Sequence, residues 1–134
     1  MDRRSFIKSM FAAVLLPFLP RGLSFGKECQ EVCLQRSPVA GFQYYDGEKV
    51  WQSLKAGDLL DLSREPDNPH DNQAVEVLWR GHKLGYVPRH ENGTLTMLLK
   101  HDAPLRARIS NLDEARNSWK RTEFDVYLLV NDVN

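Results

Sequence analysis

The sequence predicts a small all-β barrel, because it consists largely of short apolar segments separated by turn-forming residues. Asp46-Gly47 and Gly57-Asp58 are two such separators, and Gly, Asn and Asp supply the backbone conformations that tight turns need. Leucines recur at helical spacing in the segment at residues 95–99. About six short strands with one or two short helices are sufficient to form a closed barrel of this kind.

In chain order, the predicted strands cover residues 39–45, 59–62, 74–79, 84–87, 105–109 and 124–130. The last two show the alternation of apolar and polar side chains that a half-buried strand requires. Residues 80–83 connect the third and fourth strands as a hairpin, and Pro88 ends the fourth. Asn92 is placed to cap a helix that continues to Lys100. Residues 48–55 have room for one further helical turn.

The first 26 residues have the pattern of an export signal. Arg3 and Arg4 form a basic pair, and an apolar run follows at residues 10–19. About ten apolar residues match the core of a signal peptide but are too few to span a bilayer, which needs roughly 20. The basic pair resembles a bacterial twin-arginine signal, and small residues precede a cleavage point at Lys27. We therefore expect a periplasmic or secreted protein without stable membrane insertion after cleavage, the alternative being an N-terminal helix packed on the domain.

Beyond this leader, residues 27–36 are polar and lack periodicity, so we expect an N-terminal arm before a barrel domain at residues 37–131. The whole chain has a formal net charge of zero, but its first 26 residues hold four basic residues and one acidic residue. The remainder therefore has a net charge of about −3. Because non-specific nucleic-acid affinity comes largely from neutralising phosphates, any nucleic-acid site here must be a local pocket.

Cys29 and Cys33 are the only cysteines, and both follow the expected cleavage point. An oxidising compartment would allow a local disulfide between them, and two idle thiols are the alternative. Two thiols without a nearby pair of histidines cannot supply the four ligands of a structural zinc site.

Three motifs carry the most specific signal in the chain: GFQYYDG at residues 41–47, REPDNPHDNQAVEV at 64–77, and GHKLGYVPR at 81–89. Together they resemble the HIRAN domain family, which is best known at the N-terminus of Swi/Snf-type DNA-remodelling helicases and also occurs as free-standing bacterial proteins. The resemblance extends over residues 37–130, with the motifs in the family's order and spacing. It implies an OB-like β-barrel without the helicase and RING parts of the larger relatives.

In the eukaryotic members of this family, the barrel holds the last nucleotides of a single DNA strand and probes the free 3′ hydroxyl. The resemblance implies a similar site in this chain. Tyr44 matches an aromatic residue that lies against the nucleotide. Asp71 matches the carboxylate that accepts a hydrogen bond from the 3′ hydroxyl, and His70 occupies the preceding place, where a tyrosine is usual. Arg89 matches a basic residue near the phosphate, with Tyr86 beside it. These five residues form the implied nucleic-acid site.

Each of these residues also has a structural interpretation. Tyr44 and Tyr86 could be core aromatics of the barrel with exposed hydroxyls. Asp71 could hold its own turn through backbone hydrogen bonds, since Asp and Asn commonly do so in polar loops. Arg89 could be a solvated surface charge at the end of a strand.

The resemblance therefore implies a binding module that recognises the ends of single-stranded DNA through their 3′ hydroxyl. The alternative is an exported barrel that has lost DNA binding and binds a protein partner or another ligand. The acidic mature chain favours this alternative, as does Gln43, which stands where the DNA-binding members carry a basic residue. Tyr44, Asp71 and Arg89 favour DNA binding.

Neither an enzyme nor a cofactor-dependent protein is predicted. His70 and Asp71 are adjacent, but no nucleophile motif such as GxSxG is present. Asp67 and Asn68 could add metal-binding oxygen atoms, but their spacing matches no known metal-binding loop. We therefore expect no catalytic residues, no bound metal and no cofactor.

Overall fold

The computed structural model describes residues 29–117 and 121–131, and Glu31–Val130 form one compact unit. Its strands are β1 (Cys29–Pro38), β2 (Leu59–Glu65), β3 (Ala74–Trp79), β4 (His82–Tyr86), β5 (Leu105–Leu112) and β6 (Thr122–Asn131). Its α-helices are α1 (Gly47–Val50) and α2 (Gly93–Lys100), and 3₁₀ turns cover Phe42–Tyr44, Trp51–Ser53 and Arg89–Glu91. The export-signal prediction falls on residues 1–26, which lie outside the described part of the chain.

The strands form one sheet in the order β1-β6-β5-β2-β3-β4. Ala40, two residues after β1, pairs with Tyr86 at the end of β4 in an isolated antiparallel bridge. The Ala40 N–H donates to the Tyr86 carbonyl over 2.8 Å, and the Tyr86 N–H donates to the Ala40 carbonyl over 2.9 Å. This bridge joins the two edges of the sheet, so the prediction of a small barrel of about six strands is confirmed.

The core lies inside this closed sheet and is built from one face of each inner strand. Val75 and Val77 in β3, and Phe124 and Val126 in β6, are buried with one residue between them in each strand, as the two-residue period of a strand requires. Further buried apolar side chains come from other parts of the unit: Val39, Phe42, Val50, Leu54, Leu60, Trp79, Leu84, Val87, Leu95, Ala107 and Ile109.

Two segments differ from their predicted structure. Residues 29–36, expected to form an arm, belong to strand β1. Most side chains of β1 are exposed or half-buried, so β1 is kept in the sheet mainly by its hydrogen bonds to β6. Its sequence therefore lacks the alternation of apolar and polar residues from which a strand is predicted. Residues 39–45, predicted as a strand, contribute one bridge at Ala40 and then turn into the 3₁₀ segment Phe42–Tyr44.

The hairpin and the longer helix follow the sequence closely. Strands β3 and β4 are joined by Arg80 and Gly81, with φ of +48° and +83°, which is the left-handed backbone of a tight two-residue hairpin turn. Helix α2 occupies the residues predicted from its leucine spacing, and Leu95 lies fully buried within it. None of the helices in the described residues has the length and apolar character needed to cross a bilayer.

Both cysteine thiols are free and exposed. Residues four apart in an extended strand are separated by about 13 Å at about 3.3 Å per residue. A disulfide needs Cα atoms within about 7 Å of each other. With β1 formed, Cys29 and Cys33 therefore do not fit an internal disulfide.

We expect Gly85→Ala to destabilise the barrel by about 2–4 kcal/mol. Gly85 has a φ of +154°, and a Cβ atom there would overlap the Ala40 carbonyl oxygen and come within 2.7 Å of Val39 Cγ1. Urea denaturation measures the free energy of unfolding. Gly81→Ala is the matched control, because Gly81 also has a positive φ but a Cβ atom added there would have no neighbouring atom within 4 Å; equal losses in both variants would contradict a collision at the bridge.

Candidate functional site

A surface cavity of about 360 Å³ lies where the three sequence motifs meet. One wall comes from the segment after β1, a second from the loop between β2 and β3, and a third from the end of β4 and the turn after it. The lining residues are Ala40, Tyr45, Asn68, Pro69, His70, Asp71, Ala74, Tyr86, Val87 and Arg89. Because the Ala40–Tyr86 bridge joins the first wall to the third, barrel closure itself builds the cavity.

The carboxylate of Asp71 is held at both oxygen atoms. Oδ1 accepts a hydrogen bond from the Gln73 backbone N–H over 2.9 Å, and Oδ2 accepts one from the side-chain amide of Asn92 over 2.8 Å. Asp71 therefore holds its own turn, as the structural interpretation of the sequence proposed, and it also lines the cavity. A carboxylate oxygen has two lone pairs, so both oxygens keep acceptor capacity toward a ligand.

Two tyrosine rings and a lysine form the aromatic side of the cavity. The rings of Tyr45 and Tyr86 pack edge to face, with centroids 5.7 Å apart. The Lys83 ammonium lies 4.6 Å from the centroid of Tyr45 and 4.2 Å from that of Tyr86. These distances are within the range of cation–π attraction, so Lys83 fixes both rings from outside the cavity lining.

The Tyr86 hydroxyl belongs to a charged network beside the cavity. It donates to Glu65 over 2.6 Å and accepts from Lys83 over 2.6 Å. The hydrogen bond from Tyr86, together with Asn68 and Lys83, holds the pKa of Glu65 at about 2. Burial lowers the pKa of Lys83, but its bond to Tyr86 and the charge of Glu65 outweigh that effect and raise it to about 12. Both groups therefore stay ionised over the whole neutral range.

This network determines which part of Tyr86 a ligand can use. Burial, and then the bond to Glu65, raise the pKa of Tyr86, and its hydroxyl proton is already donated. Tyr86 lines the cavity, but its hydroxyl has no second proton to donate to a ligand. A second carboxyl group also belongs to this network. Glu76 Oε2 lies 3.5 Å from Lys83 Nζ, and burial raises the pKa of the Glu76 carboxyl above its usual value.

The structure brings four of the five implied site residues together. His70, Asp71, Tyr86 and Arg89 all line the cavity. Arg89 lies in the 3₁₀ turn after β4 rather than in the strand itself, and it is exposed. Within residues 29–117 and 121–131, its guanidinium forms no hydrogen bond or ion pair with another side chain.

Tyr44 is placed differently from the other four. Its side chain is 76% exposed and lies outside the lining of the cavity, where its neighbour Tyr45 takes the aromatic position. Sequence reasoning did not select Tyr45, although both tyrosines stand in the same motif. It also did not select Lys83 or Asn92, whose contacts join segments 18–21 residues apart in the chain.

A second cavity of about 520 Å³ continues from the first, since the two share Ala40 and Arg89. Pro38 and Pro88 add apolar surface to it, and its further lining residues are His90, Glu91, Arg116 and Glu123. Arg116 lies 3.3 Å from Asp113, so part of its charge is balanced. Arg89 therefore lines both cavities.

Comparison with known proteins places these features in a family. Residues 32–131 match the HIRAN domain family. The crystal structure of a protein from Lactobacillus plantarum is similar over 76% of this chain and 98% of its own, with 27% identity and a TM-score of 0.66. The crystal structure of the HIRAN domain of human HLTF is similar over 72% of this chain and 74% of its own, with 19% identity and a TM-score of 0.53. No curated protein matches the chain.

We expect Tyr86→Phe to lower the free energy of unfolding by about 1–2 kcal/mol at neutral pH, because Glu65 and Lys83 both lose a half-buried hydrogen-bond partner. The pKa of Glu65 is below its usual value of 4.5, so the stability from this bond is complete above that pH and is lost as pH falls toward about 2. The difference between parent and variant should therefore shrink over this acid range. Urea denaturation across pH measures it.

Tyr45→Phe is the matched control for this experiment, because no hydrogen bond of the Tyr45 hydroxyl to another described residue is seen. If the two variants lose equal stability at every pH, the hydroxyl network does not stabilise the fold as stated.

Proposed function

Because the chain belongs to the HIRAN domain family, a family of nucleic-acid-binding modules, we propose that it binds nucleic acid in the cavity beside the Ala40–Tyr86 bridge. At the finer level, we propose that it recognises the end of a single DNA strand with a free 3′ hydroxyl. The observation that carries this proposal is the Asp71 carboxylate, which is fixed at both oxygens in a residue that lines the same cavity as Tyr45, Tyr86 and Arg89.

The terminal hydroxyl would be read by Asp71. A carboxylate accepts hydrogen bonds and cannot donate them when ionised, so it pairs with a hydroxyl and repels a terminal phosphate. Its two existing bonds come from N–H donors, which leave its negative charge in place. The same side chain therefore supplies attraction for one kind of strand end and repulsion for the other.

The terminal nucleoside would be held by aromatic side chains. Tyr45, Tyr86 and His70 line a cavity whose volume of about 360 Å³ is at the small end of the range for ligand sites, about 300–1,000 Å³. This size suits one nucleotide rather than a base pair. Stacking on these side chains would contribute roughly 1–3 kcal/mol per base, whereas Tyr44 is exposed outside the cavity lining.

The backbone of the strand would pass Arg89. A guanidinium can grip a phosphate with two parallel hydrogen bonds, and Arg89 has no competing partner among the described residues. Arg89 also lines the second cavity. The nucleotides that precede the end would pass along this cavity, beside Glu91 and Glu123 as well as Arg116. With a single phosphate contact, the salt dependence of binding would be weak, with a slope of about −0.7 for single strands.

We propose a binding role rather than catalysis for this cavity. Of the described residues that line it, none is a serine, threonine, cysteine or lysine, so His70 and Asp71 have no such nucleophile beside them. The alternative function is a barrel that binds an exported protein or another ligand. Gln43, exposed where the family resemblance expects a basic residue, supports that alternative, because it supplies no charge for a phosphate.

The first experiment is fluorescence anisotropy of the purified chain with a short single strand ending in a 3′ hydroxyl, beside the same strand ending in a 3′ phosphate, at a stated salt concentration. We expect tighter binding to the hydroxyl end. Asp71→Asn should remove the preference, weakening hydroxyl-end binding about tenfold while easing repulsion of the phosphate. Asp67→Asn is the control, since Asp67 is exposed in the same loop but does not line the cavity.

Binding of neither strand by the parent protein would contradict DNA-end recognition and support the alternative, an exported interaction domain. Equal preference in parent and Asp71→Asn would leave DNA binding in place but reject Asp71 as the group that reads the end.

We further propose export through the twin-arginine route, which the basic pair and short apolar run of the leader support. Changing Arg3→Lys and Arg4→Lys together removes the arginine pair that the twin-arginine route requires and keeps the positive charge. Unprocessed precursor should therefore remain in the cytoplasm. Cell fractionation with immunoblotting measures this. Arg21→Lys is the control, and normal processing of the double variant would argue against this route.

A further inference from the structure

Asn92 occupies an unusual place between the cavity and helix α2. It is the residue before the helix, where an asparagine side chain commonly accepts a hydrogen bond from the first turn. Its side chain makes no such capping bond to the described residues of α2. The side chain is instead 2% exposed, and its amide donates to Asp71 Oδ2 over 2.8 Å.

We propose that Asn92 is a positioning residue that sets the direction of the Asp71 carboxylate and thereby the preference of the cavity for hydroxyl over phosphate ends. This inference rests on the proposed function and deepens it. The Gln73 N–H holds Oδ1 from within the loop, whereas Asn92 holds Oδ2 from a different element. With both oxygens fixed, the carboxylate cannot rotate away from a ligand that enters the cavity.

Asn92 also connects the turn that carries Arg89 with the loop that carries Asp71. It follows the turn Arg89–Glu91 directly, and its side chain reaches the loop that carries His70 and Asp71. The Asn92 backbone carbonyl accepts from the Thr96 N–H over 2.8 Å, so its position is set by the first turn of α2. Asn92 therefore links the turn that carries Arg89 to the loop that carries Asp71.

A second hydrogen bond joins the same helix and loop. It allows an effect on the direction of the Asp71 carboxylate to be distinguished from a general loss of stability. The Thr96 hydroxyl donates to the Gln73 carbonyl over 2.6 Å, and Thr96 is buried. Thr96→Val removes a helix–loop bond without touching the carboxylate. It should lower stability but keep the preference for hydroxyl ends, whereas loss of the Asn92 amide should remove the preference.

The decisive variant is Asn92→Asp, which keeps the shape of the side chain and replaces its donating amide by a carboxyl group. Two ionised carboxylates at hydrogen-bond distance repel each other, so Asp71 should turn away at neutral pH. On acidification, a proton shared by the two carboxyl groups restores a hydrogen bond between them. The other titratable or charged groups facing Asp71 across the cavity are His70, Arg89, Tyr86 and Tyr45, and all of them are present in the parent as well.

The test is anisotropy of the full chain with the hydroxyl-ended and phosphate-ended strands between about pH 5 and pH 8. For Asn92→Asp, we expect the ratio of the two affinities to fall about tenfold at the upper end of this range and to recover toward the parent ratio at the lower end. Asn72→Asp is the control, because it adds the same charge at an exposed position in the same loop. It should keep the parent ratio throughout.

A parental ratio in Asn92→Asp at every pH would overturn the proposal, and so would an equal loss of preference in Thr96→Val. If the parent binds neither strand, the proposed function fails, and the role of Asn92 is then read by carboxyl ¹³C NMR of Asp71. A changed carboxyl chemical shift of Asp71 in Asn92→Ala but not in Thr96→Val would support the positioning role without DNA. An unchanged chemical shift in both would overturn it.

Discussion

Two backbone hydrogen bonds between Ala40 and Tyr86 join the edges of the sheet. The chain reaches Ala40 from β1 and Tyr86 from β4, so one antiparallel bridge closes what would otherwise be an open six-stranded sheet. Closure places Tyr45 against Tyr86, and it brings the turn with Arg89 beside the loop with Asp71. The bridge requires Gly85, because any larger residue would collide with the Ala40 carbonyl. The barrel and the cavity thus depend on the same close approach of two backbones.

The parts of the fold that could be predicted are those whose signal is local. Strand β3 and helix α2 were found from periodicity within single segments, and the hairpin turn from adjacent residues. Strand β1 could not be found in this way, because its pairing energy comes from backbone bonds to a strand far along the chain and its side chains stay outside the core. The choice between Tyr44 and Tyr45 depends on the 3₁₀ turn at Phe42–Tyr44, which places neighbouring side chains in different directions.

Four residues of the candidate site could be predicted from the sequence, namely His70, Asp71, Tyr86 and Arg89, but Tyr45 and the interactions within the site could not. The family resemblance identified Asp71 and Arg89, and both line one cavity. The bonds of Asp71 to Asn92 and of Tyr86 to Glu65 each join residues 21 positions apart, and a single sequence carries no local signal that pairs them. Through these hydrogen bonds, the Tyr86 hydroxyl already donates its proton to Glu65, and the Asp71 carboxylate is held in one direction.

The small number of cationic groups at the cavity also determines how the protein would find its ligand. Arg89 is the one arginine among the described residues that line the first cavity. Proteins that slide along DNA contact many phosphates at once and exchange these contacts one by one while they stay bound. One guanidinium cannot sustain such a hold. Under the proposed function, strand ends would therefore be reached by three-dimensional diffusion, at a rate proportional to the concentration of ends rather than of nucleotides. Long DNA with few ends would therefore compete poorly with an equal mass of short fragments.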